Sequence, residues 1–144
     1  MPRTALIEML RLYVPAVNKH VYPPDVQPSA TMPRITVNAL TPTEQRVAIG
    51  EQFGSYKGLF YLYTFRVDVW DRKPGSVETT CDQVMYAIRK HRQYVPASPN
   101  NVYGEFLFLE TAGGSDTSVD APRQLYRRTI NVHGKWLARA QENW

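Results

Sequence analysis

The sequence predicts an α+β fold: two helices packed on one face of a mostly antiparallel β-sheet, with long projecting loops or arms. Three observations lead there. Segments 4–14 and 77–92 carry apolar residues at helical spacing. Segments 35–40, 59–71, 102–110 and 124–138 have strand character. Their order, α-β-arm-β-α-β-β, sets few helices against many strands joined as neighbours. At 144 residues, the chain fits one domain, 1–144, able to bury about 68–70% of its unfolded surface.

In the first helix, Leu6, Met9, Leu10, Tyr13 and Val14 form one apolar stripe, and Pro15 should stop it. Residues 21–33 hold four prolines and no periodicity; they read as an extended connector held to the surface by Val21, Tyr22 and Met32. ITVNAL at 35–40 reads as a strand. Segment 41–58 is polar and Gly-containing, with a short β-like centre at Val47-Ala48-Ile49. So long a stretch with so little pattern predicts a projecting arm, mobile over Gly50–Gly58.

Residues 59–71 form the longest predicted strand. Tyr61, Tyr63, Phe65, Val67 and Val69 share one face; Leu62, Thr64, Arg66, Asp68 and Trp70 share the other. Lys73-Pro74-Gly75 predicts a turn, and Ser76 an N-cap for a helix over 77–92 with Glu78 near its positive end. Val77, Cys81, Val84, Met85 and Ile88 make its buried stripe. Its closing cations, Arg89, Lys90, His91 and Arg92, are those expected at any helix C-terminus.

VYGEFLFLE at 102–110 has apolar residues on both faces, which predicts a central strand. Segment 112–123 predicts a flexible polar loop. The last strand puts Tyr126, Ile130, Val132 and Trp136 on the core face, with Arg128 at its edge seeking a carboxylate such as Asp68 or Asp71. Arg127, Thr129, Asn131 and His133 lie opposite.

Composition excludes several functions. Hydrophobic residues are 43% and no run reaches a membrane span of about 18 apolar residues. Glu8 and Arg11 interrupt the apolar N-terminus, and no small-residue cleavage site follows, against a secretory signal. The single cysteine, Cys81, cannot staple the fold, and the three histidines lack metal-ligand spacing. No metal and no cofactor are expected. Net charge +4 is mild for a dedicated nucleic-acid binder.

Catalytic patterns are equally thin. Cys81 sits on an apolar helix stripe, where a small buried hydrophobe belongs. Gly113-Gly114-Ser115 does not make a phosphate loop. Asp68 and Asp71 point to opposite faces, a poor acid/base pair, although His133 could neighbour them. Arg123, Arg127, Arg128, Lys135 and Arg139 cluster near the C-terminus and could touch nucleic acid, but the interleaved Tyr126 and Trp136 fall on the core face. The residues point away from an enzyme.

The ordered features resemble the tail-terminator, or tail-completion, proteins of long-tailed bacteriophages. The N-terminal amphipathic helix precedes Val21-Tyr22-Pro23 and Met32-Pro33-Arg34-Ile35-Thr36-Val37. A Gly-containing arm leads into Arg66-Val67-Asp68-Val69-Trp70, a helix starts within a few residues, and a strand pair ends in Tyr126-Arg127-Arg128. The resemblance spans nearly the whole chain; neck and head-completion connectors share its size and fold.

The resemblance implies a structural virion protein, present in the host cytoplasm during assembly. Copies of the chain would form a ring, a homo-hexamer, on the head-proximal end of the tail tube, stop tube polymerisation and meet the neck of the filled head. Partners would be the chain itself, tail tube protein and neck or head-completion proteins. DNA would pass through the lumen without sequence recognition, and no membrane is involved. Candidate interface residues are Arg66, Asp68, Trp70, Arg127 and Arg128 on the strands, Arg46, Phe53, Tyr56 and Lys57 in the arm, and Asp116 and Asp120 in the loop. The alternatives are a nucleic-acid-binding α+β module or a neck or head-completion connector protein.

Overall fold

The computed structural model describes residues 2–17, 20–23, 32–40, 43–46, 56–98, 104–122 and 124–139, with side chains of 43–46, 56–60, 120 and 139 outside that description. It bears out the α+β class. The elements are α1 (Pro2–Tyr13), a 3-10 turn (Pro15–Val17), β1 (Val21–Tyr22), β2 (Arg34–Ala39), β3 (Thr43–Arg46), β4 (Tyr56–Asp71), α2 (Pro74–Lys90), β5 (Gly104–Gly114), β6 (Ser118–Asp120) and β7 (Leu125–Arg139).

The sheet order is β1-β2-β4-β7-β5, with β3 also on β4 and β6 also on β7. β2 runs antiparallel along Phe65–Trp70 of β4, and β3 continues along Leu59–Leu62. β5 and β6 likewise follow each other along β7. β4 and β7 are thus two long central strands, each flanked by an interrupted one. β1 adds a short parallel pair, Val21 against Ile35 and Tyr22 against Thr36.

Both helices pack on one face. Leu6, Met9 and Leu10 of α1, Val77, Cys81, Val84 and Ile88 of α2, and Phe65, Val67 and Val69 of β4 meet in one core with Val132 and Trp136 of β7. The predicted stripes hold except at Tyr13, which stays exposed and stacks on His91, ring centroids 3.6 Å apart. An aromatic row runs along the core end of the sheet: Tyr61, Tyr63, Phe65, Phe106 and Trp136 touch in sequence.

Several expectations are corrected. Residues 21–22 form a strand rather than a surface connector: Val21 is buried, and the Arg11 guanidinium grips its carbonyl with two donors, at 2.6 and 3.1 Å. Ser76 is no N-cap. Pro74 opens α2 in the first turn, where a missing N–H costs nothing, and Lys73 takes the cap position. The first turn holds no acidic residue, so Glu78 lies beyond the position where the dipole would favour it.

β5 is an edge strand, not a central one. A register shift between Phe106 and Phe108 moves one residue out of alternation. Phe106 and Leu109 therefore both point into the core while Phe108 faces out, and this produces the two-faced apolar pattern. The loop predicted over 112–123 is in part strand: β5 runs to Gly114, and Ser118–Asp120 pairs with Leu125–Arg127. The arm predicted over 41–58 pairs at both ends, through β3 and the start of β4 at Tyr56. Its expected centre, Val47–Ile49, and residues 50–55 lie outside the described residues.

A candidate interface on the open sheet face

Strand alternation puts polar side chains on the face opposite the helices. Register then assembles them into rows across β2, β4 and β7. Arg34, Trp70 and Arg127 form one row; Thr36, Asp68 and Thr129 the next; Asn38, Arg66 and Asn131 the third. Thr64 and His133 follow, then Leu62 and Lys135.

The middle row is tightly held. Asp68 is only 5% exposed. Its Oδ1 accepts a hydrogen bond from the Thr129 hydroxyl at 2.6 Å, and its Oδ2 lies 3.3 Å from Arg66 Nε. A buried carboxylate persists when it is hydrogen-bonded and paired, and this one is both. The Arg66 side chain remains 48% exposed, so its charge faces outward while Asp68 is spent inside the chain.

The first row is a stack. The Arg34 and Arg127 guanidiniums each lie over the Trp70 indole, 5.3 Å from the ring centroid, one from β2 and the other from β7. Trp70 Nε1 donates to the Thr36 hydroxyl at 3.3 Å, which fixes the ring. Arg34 is buried and Arg127 exposed. A cavity of about 470 Å³ adjoins the stack, walled by Trp70, Arg127, Ser118, Val119, Ala121 and Pro122.

At the other end of the face, a cavity of about 400 Å³ is lined by Leu62, Thr64, Phe108, Glu110, His133 and Lys135. His133 lies beside Glu110, Nδ1 to Oε1 3.9 Å, and not beside Asp68 or Asp71. The two aspartates do diverge: Asp71 Oδ1 accepts the Arg72 N–H at 2.7 Å. Among the described residues no three His, Cys, Asp or Glu side chains could hold a metal ion, and no described helix is long and apolar enough to cross a membrane.

Arg128 does take a carboxylate, but from the helix layer: Nη1 reaches Glu78 Oε2 of α2 at 2.5 Å. Thr117 donates to the same carboxylate through its hydroxyl. Arg128 thus belongs to the strand–helix joint and is absent from the open face. Cys81 is fully buried, and desolvation pushes its thiol up to about 12.

Of the expected site residues, Arg66, Asp68, Trp70 and Arg127 come together on the open face. Asp116 is exposed beyond the end of β5. Arg46, Tyr56, Lys57 and Asp120 fall on strand backbone with side chains outside the described part, and Phe53 lies outside the described residues altogether. Arg34, Thr36 and Thr129 complete the rows. The alternation of Arg34, Thr36 and Asn38 carried the signal for the first two, but their partners depend on register.

No family profile and no curated protein matches the chain in sequence. Among solved structures, a chain from the virion of a native gene transfer agent particle is similar, at 11% identity and a TM-score of 0.63, over 94% of this chain and 93% of that chain. At that identity the likeness concerns the backbone: this chain, over nearly its full length, has the fold of a chain from that virion.

Proposed function

We propose that the chain is a structural virion protein that assembles as a ring, a homo-hexamer, on the head-proximal end of a phage-like tail tube. There it ends tube polymerisation and offers its other side to the neck. The observation that carries this reading is the near full-length fold likeness to a chain of a gene transfer agent virion. At 11% identity the backbone is what is shared, so the role rests also on what the surface offers.

That surface suits assembly better than catalysis. A long polar sheet face stands open opposite the helices, its one deeply buried carboxylate already satisfied by Thr129 and Arg66. The edge strands β1 and β5 bound the sheet. Edges carry backbone donors and acceptors that a neighbouring copy can pair. A head-to-tail contact closes into a ring when its rotation permits. Outward-facing Arg66, beside Trp70 and Arg127, sits where a neighbour would meet this face.

Negative-stain microscopy of the purified protein, with and without tail tubes, tests the reading, with light scattering for mass. Six-fold rings with a central hole are expected. No rings under either condition would sink it. A strict monomer holding oligonucleotides at about 0.2 M salt would favour a nucleic-acid-binding module instead.

A further inference from the structure

We infer that the outer face of α2 docks against the same face of a second copy of the chain, the two helices running antiparallel about a two-fold axis at Tyr86. α2 packs on the sheet through Val77, Cys81, Val84 and Ile88, so its other side points away from the core. There Asp82, Tyr86, Arg89 and Lys90 fall within about 100° of the helix circumference. All four are exposed, Tyr86 at 62%. The stripe therefore reads carboxylate, aromatic ring, two cations, in that order along the helix.

This order is complementary to its own inverse. Asp82 and Arg89 stand about 10 Å apart along the axis, and among the described residues neither makes an ion pair. Both lie on the same side of Tyr86, about 40° and 60° from it around the helix. A second α2, turned end for end about Tyr86, brings its Arg89 level with Asp82 and its Asp82 level with Arg89. Tyr86 then meets Tyr86 at the axis, as a self-complementary two-fold contact requires. Lys90 Nζ lies 5.7 Å from the Tyr86 ring centroid and covers one face of the ring. The other face is left for an offset stack with the second ring.

The helix dipole does not account for the pattern. Its influence is confined to the end turns; the first turn of α2 holds no acidic residue, and Asp82 sits more than two turns in. The mixed signs also select the occupant. A nucleic-acid backbone lying along the stripe would gain at Arg89 and Lys90 and be repelled at Asp82. An apolar segment would bury charges without partners. An inverted copy matches both signs at once. Exposed ion pairs and one aromatic pair hold weakly, so the pairing is reversible. It does not rest on the ring reading, because it leaves the open sheet face and the sheet edges free.

The test is sedimentation velocity on the full chain from about 10 μM to about 1 mM. Pairing doubles whatever species the chain forms, monomer to dimer or ring to double ring, and that doubling is the readout. Asp82→Arg and Arg89→Asp each set like charges opposite one another, and each should weaken the doubling at least about tenfold. An equimolar mixture of the two variants should restore it, since each supplies the sign that the other lost. Tyr86→Ala should weaken it as well. Thermal unfolding of each variant separates loss of the contact from loss of the fold. No doubling by the parent at the highest concentration in about 50 mM salt, doubling unchanged by both charge reversals, or a mixture that stays apart would overturn the inference. So would tight binding of an oligo-dT of about twelve nucleotides that Arg89→Asp abolishes, with no doubling in its absence, which would make the cations a phosphate surface.

Discussion

The Thr129 hydroxyl donates to Asp68 Oδ1 at 2.6 Å across the two central strands of the sheet. This bond satisfies the most deeply buried carboxylate on the open face and leaves Arg66 as its charged neighbour. Thr129→Val keeps the shape and removes the donor. It should cost about 1.5–3 kcal/mol in urea unfolding, the worth of a hydrogen bond to a charged group. In a double-mutant cycle with Asp68→Asn the two losses should fall short of additive; strict additivity would mean that the hydroxyl and carboxylate do not interact.

Arg66 separates assembly from stability. Its side chain is half exposed, so solvent screens its attraction to Asp68 and the pair contributes less than about 1 kcal/mol. Arg66→Gln, which removes the charge without placing a second carboxylate beside Asp68, should therefore lower stability by less than about 1 kcal/mol while abolishing rings in negative stain. A large drop in stability with rings intact would place the pair's role inside one chain.

Cys81 should resist chemistry in the folded protein. With its thiol raised to about 12 by burial, only about one molecule in ten thousand carries thiolate at pH 8. Iodoacetamide at that pH should leave the native chain unlabelled by mass spectrometry and label it fully in denaturant. Rapid native labelling would contradict the burial.

Tyr94 predicts an alkaline limit. Burial raises its phenol above the usual value, and the hydrogen bond to Glu8 Oε2 at 2.8 Å adds to that. The folded state keeps the proton that the unfolded state gives up near pH ~10. This contribution is therefore whole below about pH 10 and lost as pH climbs from there through the raised folded value. The slope of stability above pH ~10 should be shallower in Tyr94→Phe, and equal slopes would refute the assignment.

Gly104 marks where β5 meets β7 most closely. Its φ is +144°, and an added Cβ would stand 2.4 Å from the Leu137 carbonyl oxygen and 2.8 Å from the Trp136 ring. Gly104→Ala should lower stability by about 1–3 kcal/mol through strain and displaced backbone. A thermal melt unchanged from the parent would show that the edge strand shifts freely.

The sequence by itself determined what local periodicity records. The stripe Leu6, Met9, Leu10 and the stripe Val77, Cys81, Val84, Ile88 both name the residues that the core buries. The alternation through Phe65–Trp70 separates core from open face correctly, because a strand's side chains alternate whatever lies beside it. Tertiary structure decided everything that depends on register. A single displaced residue near Leu107 made an edge strand look central. Only the pairing of β2, β4 and β7 could put Arg34 and Arg127 on one indole, give Asp68 to Thr129, and send Arg128 to Glu78 on the other layer. Those partners lie up to 93 positions apart in the row from Arg34 to Arg127, and side-chain pattern within a strand carries no information about which distant residue stands opposite.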